Sequence, residues 1–167
     1  AGAVLLGRTN MVEFAFGGLG LNPHYGTPKN AWDRKTGRVP GGSSSGAGVA
    51  VADGMGVMGL GSDTRGSIRV PAALNGITGF KPTARRIPRD GAFPLSYTLD
   101  SVGPIANSVA CCAAYDAVLA NEAPAPLPAM SAKGLRLMVP KSQALEDLDE
   151  TVGRVFAAKL SKHSAEG

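Results

Sequence analysis

Apolar and polar positions divide the chain into short blocks. Val4, Leu5 and Leu6 predict a short buried strand ended by Gly7. Asn10 and Glu13 have the spacing of a capping box, and Met11, Phe14 and Phe16 add apolar bulk. Residues 17–42 are rich in Gly, Pro and Asn and predict a long loop packed down by Trp32. Loops of that length inside a domain are usually functional. Over residues 46–58 small side chains stand at nearly every position, which suits a helix packed closely on a strand. A buried strand is predicted over 57–61 and a turn over 63–66. Ser67 then opens a short helix to residue 74, with Pro71 in its early turns. Another strand is predicted over 77–80. Ser108 caps a helix to residue 121, with Val109, Cys112, Ala113, Val118 and Leu119 as its apolar stripe. Residues 123–129 read as an extended Pro-rich connector and 135–139 as a strand. Leu148, Val152, Val155, Phe156 and Leu160 form one face of an amphipathic helix, with acidic residues 146–150 at its positive end. Beyond Lys162 no structural signal is legible, and no internal repeat is present.

Composition narrows the class. A hydrophobic content of 44% against 18% charged excludes a disordered chain. The net charge of +4 contains no long run of like charges, so it does not argue for nucleic acid. Arg85, Arg86 and Arg89 read as a solvated loop beside Pro82 and Pro88. Cys111 and Cys112 are neighbours in a helical pattern and point apart, so they read as free core thiols in a reducing, cytoplasmic setting. No apolar run is long enough to span a bilayer.

The chemistry concentrates between residues 41 and 83. Gly42-Ser43-Ser44-Ser45-Gly46 forms one serine turn. Gly61-Ser62-Asp63-Thr64 and Gly66-Ser67-Ile68-Arg69-Val70-Pro71 form a second, followed by Gly79-Phe80-Lys81-Pro82-Thr83. From the residues alone this is a serine nucleophile and its support, with two loops bringing Ser43 and Ser67 together. The glycine-rich turn lacks the Gly-Lys-Ser/Thr ending of a phosphate loop. His24 and His163 sit in no convincing motif, so a histidine-based triad is rejected and His24 is given a structural role.

These motifs resemble the amidase signature family, serine amidohydrolases with a Ser–Ser–Lys catalytic set. The likeness is dense over residues 1–120 and holds by pattern over 134–160. It implies an α/β fold: a mixed twisted sheet flanked by helices on both faces, present in part. Residues 1–122 would be the core segment, 123–133 the connector, and 134–167 a continuation of the same domain. Family members are longer, so the chain is expected to be an interior fragment. The resemblance makes Ser67 the acyl-forming nucleophile and Ser43 the bridging serine, preceded by a cis peptide bond. It draws the oxyanion hole from the backbone N–H groups of Thr64, Arg65, Gly66 and Ser67. It places Ala15, Phe16 and Gly17 near the substrate pocket, and gives Gly42, Asp63 and Arg69 the task of shaping the turns. Thr27, Asn30, Trp32, Asp33, Arg38 and Pro40 resemble the family's approach to the first serine turn, and residues 100–105 resemble one of its turns.

Two departures bear on activity. The family's lysine lies well upstream of Ser43, yet only Lys29 and Lys35 precede Ser43, both in the long loop, and Lys81 belongs to another motif. The chain is therefore expected to lack its general base and to be inactive alone. Arg65 stands where the family has glycine, which predicts backbone strain, a blocked pocket, or a contact to an acidic substrate group. The leading expectation is hydrolysis of a carboxamide to a carboxylate and ammonia, on an indoleacetamide-, malonamide- or aryl-amide-type substrate. One alternative is the glutamine-hydrolysing A subunit of a tRNA-dependent amidotransferase, and another is a degenerate, non-enzymatic paralogue. No cofactor, metal or membrane is expected, and nucleic acid only in the amidotransferase reading. Exposed sheet edges in a fragment make a homodimer possible.

Overall fold

Ile105 is fully buried in the middle strand of a three-stranded sheet. The computed structural model describes residues 2–131, 133–139 and 145–166. It divides into two units, Ala1–Leu127 and Pro128–Gly167.

In the first unit a 3₁₀ turn at Glu13–Ala15 precedes helix α1 at Ser45–Ala52, strand β1 at Met58–Asp63 and helix α2 at Arg69–Leu74. Strand β2 at Thr78–Gly79, strand β3 at Ser101–Ala106 and helix α3 at Val109–Leu119 follow. The sheet order is β1-β3-β2, and β3 runs antiparallel to both neighbours. Strands β1 and β2 therefore run the same way but are not adjacent, because β3 fills the slot between them. The described sheet is thus antiparallel rather than mixed.

Alternation along the strands sets the two faces. Gly59, Gly61, Gly79, Gly103 and Ile105 share one face through the register Gly59↔Ile105, Gly61↔Gly103 and Gly79↔Ile105. Helices α1 and α2 pack there, and the core is Ala47, Val51, Ile68, Ala72 and Ile105, with Ile77 at its edge. Burying Ile68 and Ile105 stabilises the unit by roughly 1.5–3 kcal/mol each. The close approach requires small residues on the strand. A Cβ on Gly61 would stand 2.8 Å from Ser44 Oγ and 3.0 Å from Ile68 Cγ1. Pro104 and Ala106 face the other way and are buried beside α3, whose Cys112 thiol approaches the Thr78 and Pro104 carbonyls at 3.5 and 3.9 Å.

Several expectations change. Residues 100–105 are not a turn: 101–106 form the central strand. Pro104 is tolerated because its carbonyl accepts the Phe80 N–H at 3.0 Å. Its nitrogen therefore faces the side where β2 is only two residues long, and no bond to β1 is lost. The run at Val4–Leu6 is exposed and forms no strand, since it has no ladder partner among the described residues. Asn10 does not cap the 3₁₀ turn, whose preceding residue is Val12; its side chain bonds the Gly26 carbonyl and the Met11 N–H instead. Met11, Phe14 and Phe16 are exposed rather than core. Trp32 is 76% exposed, although its indole lies over Gly76. Cys112 is buried but Cys111 is exposed, so only one is a core thiol. Arg86 is not a solvated loop residue. It pairs with Asp116 at 2.8 Å and Glu122 at 2.7 Å and ties its loop to α3 and the residues just after it.

Ser108 caps α3, accepting the Cys111 N–H at 3.1 Å. In the second unit, helix α4 spans Glu150–Glu166 and so continues past Lys162. Asp149 accepts the N–H groups of Thr151 and Val152 at its start. Residues 135–139 form no strand and are exposed, because no strand of that unit is described beside them.

Candidate active site

The first serine turn is held from below by the chain that precedes it. Gly42 N–H donates to the Gly18 carbonyl at 2.8 Å and Gly41 N–H to Leu19 at 3.2 Å. The Ser43 carbonyl accepts from Val12 at 3.0 Å, and Gly46 N–H donates to Asn10 at 2.9 Å. The Gly42–Ser43 peptide bond is cis. Ser43 is fully buried, and its hydroxyl has no hydrogen-bond partner among the described residues.

Ser44 stitches this turn to the second. Its N–H donates to the Ser67 carbonyl at 3.2 Å. Its hydroxyl accepts the Ser62 N–H at 3.3 Å and lies 3.4 Å from the Ser62 carbonyl. Nothing local signals this role for Ser44; the run of three serines is its only trace in the sequence.

Asp63 shapes the second turn. Its fully buried carboxylate accepts the N–H groups of Gly66 at 2.7 Å and Ile68 at 3.2 Å. It also accepts two bonds from the Arg69 guanidinium, each 3.0 Å. Burial alone would raise its pKa, but the Arg69 bonds and charge and the backbone donors outweigh it and hold Asp63 below the ordinary carboxylate value. The Gly66 N–H is thereby engaged, so it is not a free oxyanion donor as the resemblance implied. The N–H groups of Arg65 and Ser67 have no such partner among the described residues. The left-handed position of the turn is Gly66, at φ +137°, and not Arg65. The expected backbone strain at Arg65 is therefore absent.

Ser67 is half-buried at a cleft of about 400 Å³. One wall is residues 15–18, the other Gly42, residues 64–67 and Val70, with Leu95 at the side. The structure thus brings Ala15, Phe16 and Gly17 to the same cleft as Thr64, Arg65, Gly66 and Ser67. Phe14 and Ala15 hold left-handed φ angles of 52° and 57°, uncommon for residues with side chains. A second recess of about 580 Å³ adjoins the first and shares Ala15, Thr64 and Leu95 with it.

Asp100 links the two recesses. It accepts the Thr64 hydroxyl on one oxygen and the N–H groups of Leu95 and Ser96, each at 2.9 Å, on the other. Partial burial would raise its pKa, but these bonds and the Arg89 charge lower it. Asp100 therefore orients Thr64 and Leu95, both cleft residues. The sequence reading missed this, since Asp100 appeared there only inside a turn motif.

Lys29 and Lys35 are exposed, and Lys81 donates to the Pro82 carbonyl at 2.9 Å and to Ser101 Oγ at 3.2 Å. None of the three bonds Ser43 or Ser67. His24 lies at the surface, 3.4 Å from Glu13. Among the described residues no group of three or more His, Cys, Asp or Glu is placed to hold a metal, and no helix is long and apolar enough to cross a membrane.

A family model described as "Amidase" matches residues 1–167. The chain is 42% identical to 2-amino-5-chloromuconic acid deaminase of Comamonas testosteroni, over 98% of this chain and 36% of the relative. It is 51% identical to the AtzE subunit of 1-carboxybiuret hydrolase from Pseudomonas sp. (strain ADP), over 84% of this chain and 30% of the relative. Its structure is similar to the A subunit of glutamyl-tRNA(Gln) amidotransferase from Thermotoga maritima, with a TM-score of 0.86 and 34% identity, over 98% of this chain and 38% of that one. The chain spans about a third of the length of the curated relatives it matches.

Proposed function

The chain belongs to the amidase family, and on that premise we propose that it forms the serine-bearing part of an amide hydrolase centre. The observation that carries the reading is the Ser43 hydroxyl. It is buried, unpartnered among the described residues, and fixed one residue from the Ser44–Ser67 link. Buried hydroxyls are nearly always hydrogen-bonded, so an orphan beside a half-exposed serine marks a place where a partner acts.

In this reading Ser67 Oγ attacks the amide carbonyl carbon and forms a C–O bond. Its proton passes to Ser43 Oγ, and the Ser43 proton passes to a neutral lysine amine. The tetrahedral oxygen lies among the N–H groups of Thr64, Arg65 and Ser67, donors of a kind worth roughly 3–4 kcal/mol each. The C–N bond then breaks, the nitrogen takes a proton back and leaves as ammonia, and an ester remains on Ser67. Water attacks by the same relay and releases R–COOH. We place the lysine upstream of this segment, where the resemblance puts it; Lys29, Lys35 and Lys81, the lysines of the first unit, bond neither Ser43 nor Ser67. We also take the three-stranded sheet to be part of a larger mixed sheet in the parent protein.

A fluorophosphonate probe tests this. In the full-length protein carrying this chain, mass spectrometry is expected to find the adduct on Ser67, and none in Ser67→Ala. Residues 1–167 alone are expected to stay unlabelled. An adduct on another serine overturns the assignment.

The substrate stays at the level of a linear carboxamide. Two relatives are named for acids, 2-amino-5-chloromuconic acid and 1-carboxybiuret. A second reading, the A subunit of an amidotransferase, is favoured by the structural likeness over nearly the whole chain. It predicts glutamine-dependent activity stimulated by tRNA and by partner subunits.

A further inference from the structure

Arg65 is the one charged residue among those described that line the Ser67 cleft; the rest are glycines, apolar side chains and two hydroxyls. It is exposed and has no hydrogen bond or ion pair among the described residues. Three other arginines of this unit are engaged. Arg69 holds Asp63, Arg86 holds Asp116 and Glu122, and Arg89 donates to the carbonyls of Asp100 and Tyr97. The adjoining recess holds Arg85 but also Asp90 and Asp100, so its charges oppose one another. Of these two recesses, only the Ser67 cleft holds an unpaired guanidinium with no opposing carboxylate. Arg65 sits two residues before Ser67 without left-handed backbone strain. A guanidinium offers a planar fork of donors that matches a carboxylate.

The geometry points to Arg65 as the residue that selects amides bearing a carboxylate elsewhere in the molecule. The inference rests on the hydrolase reading for the reacting amide, and on the cleft alone for the charge. Hydrolysis of such a substrate yields a dicarboxylate, one end of which Arg65 neutralises.

The test separates the two claims. The full-length protein carrying Ser67→Ala, which cannot form the acyl ester, is titrated with malonamate, succinamate and glutaramate and with the three matching neutral diamides. At least one half-amide is expected to bind about tenfold tighter than its diamide at low salt. The ratio is expected to fall toward one with Arg65→Gln, to persist in part with Arg65→Lys, and to shrink near 1 M salt, where the Debye length is about 3 Å. No preference in any pair, or a preference that survives Arg65→Gln in a variant with an unchanged melting curve, overturns the inference. Wild-type protein that hydrolyses amides without charge preference leaves the hydrolase reading standing and removes this one. A binding preference without turnover or Ser67 labelling does the reverse.

Discussion

The backbone N–H of Ser44 donates to the carbonyl of Ser67 over 3.2 Å, so the residue after the buried serine holds the residue at the cleft. The Ser44 hydroxyl adds a second tie, to Ser62. Ser44→Ala keeps the first tie and removes the second, leaving the Ser62 N–H short of a partner. The expected loss of stability is about 1–2 kcal/mol. Chemical denaturation followed by circular dichroism measures it, and probe labelling of Ser67 in the full-length protein should slow with it. Unchanged stability would mean that water replaces the hydroxyl.

Asp63→Asn tests the hub of the second turn. The variant keeps the shape but removes the charge that Arg69 and the Gly66 and Ile68 N–H groups address. Removing one partner of a buried ion pair typically costs about 3–5 kcal/mol. Arg69 is about half exposed, and its released charge regains water. A loss of about 2–4 kcal/mol is therefore expected in denaturant titration, with loss of Ser67 labelling because the 63–69 turn reopens. Arg69→Gln should cost less, since the backbone donors to Asp63 remain.

Acid should find the same carboxylate. Asp63 and Asp100 both titrate below their ordinary value of 3.8 in the folded chain, and Asp33 is held at about 2, chiefly by the Thr36 backbone N–H. A depressed folded pKa contributes stability that is fully present above the unfolded value and is lost as pH falls through the folded one. Stability should be flat above about pH 5 and fall below about pH 4. Asp63→Asn should flatten that acid limb while lowering the plateau. Melting temperatures from about pH 7 to about pH 2 decide it, and an unchanged limb in the variant would place the acid sensitivity elsewhere.

How much of this was legible follows from the range of each interaction. The serine motifs and α1 were readable because their signals lie within a few residues: glycine turns, small side chains and a dense local pattern. The Ser108 cap was readable for the same reason. The links that assemble the cleft were not. Thr64 meets Asp100 across 36 positions, and Ser44 meets Ser62 across 18. Nothing local in either residue announces its partner. Strand β3 was misread because Gly103-Pro104 looks like a turn, until the short β2 removes the need for a donor at Pro104. Val4–Leu6 and residues 135–139 were misread for the opposite reason, since apolar runs predict burial only when something is present to bury them.

Gly66 and Arg65 give opposite answers to the same question, which of them the turn needs as glycine. Gly66 sits at φ +137°, a region that residues with a Cβ rarely adopt, and a Cβ there would meet Val70 Cγ2 at 3.0 Å. Gly66→Ala is expected to cost at least about 1–3 kcal/mol of strain and to displace the Ser67 backbone. Arg65 is not left-handed, so Arg65→Gly relieves nothing and adds only freedom to the unfolded chain, a loss of at most about 1 kcal/mol. Melting curves of the two variants should therefore separate clearly, with Gly66→Ala the lower. If Arg65→Gly instead raised stability, the arginine would be a strained replacement of a required glycine, and the turn would have to be redrawn with its left-handed position one residue earlier.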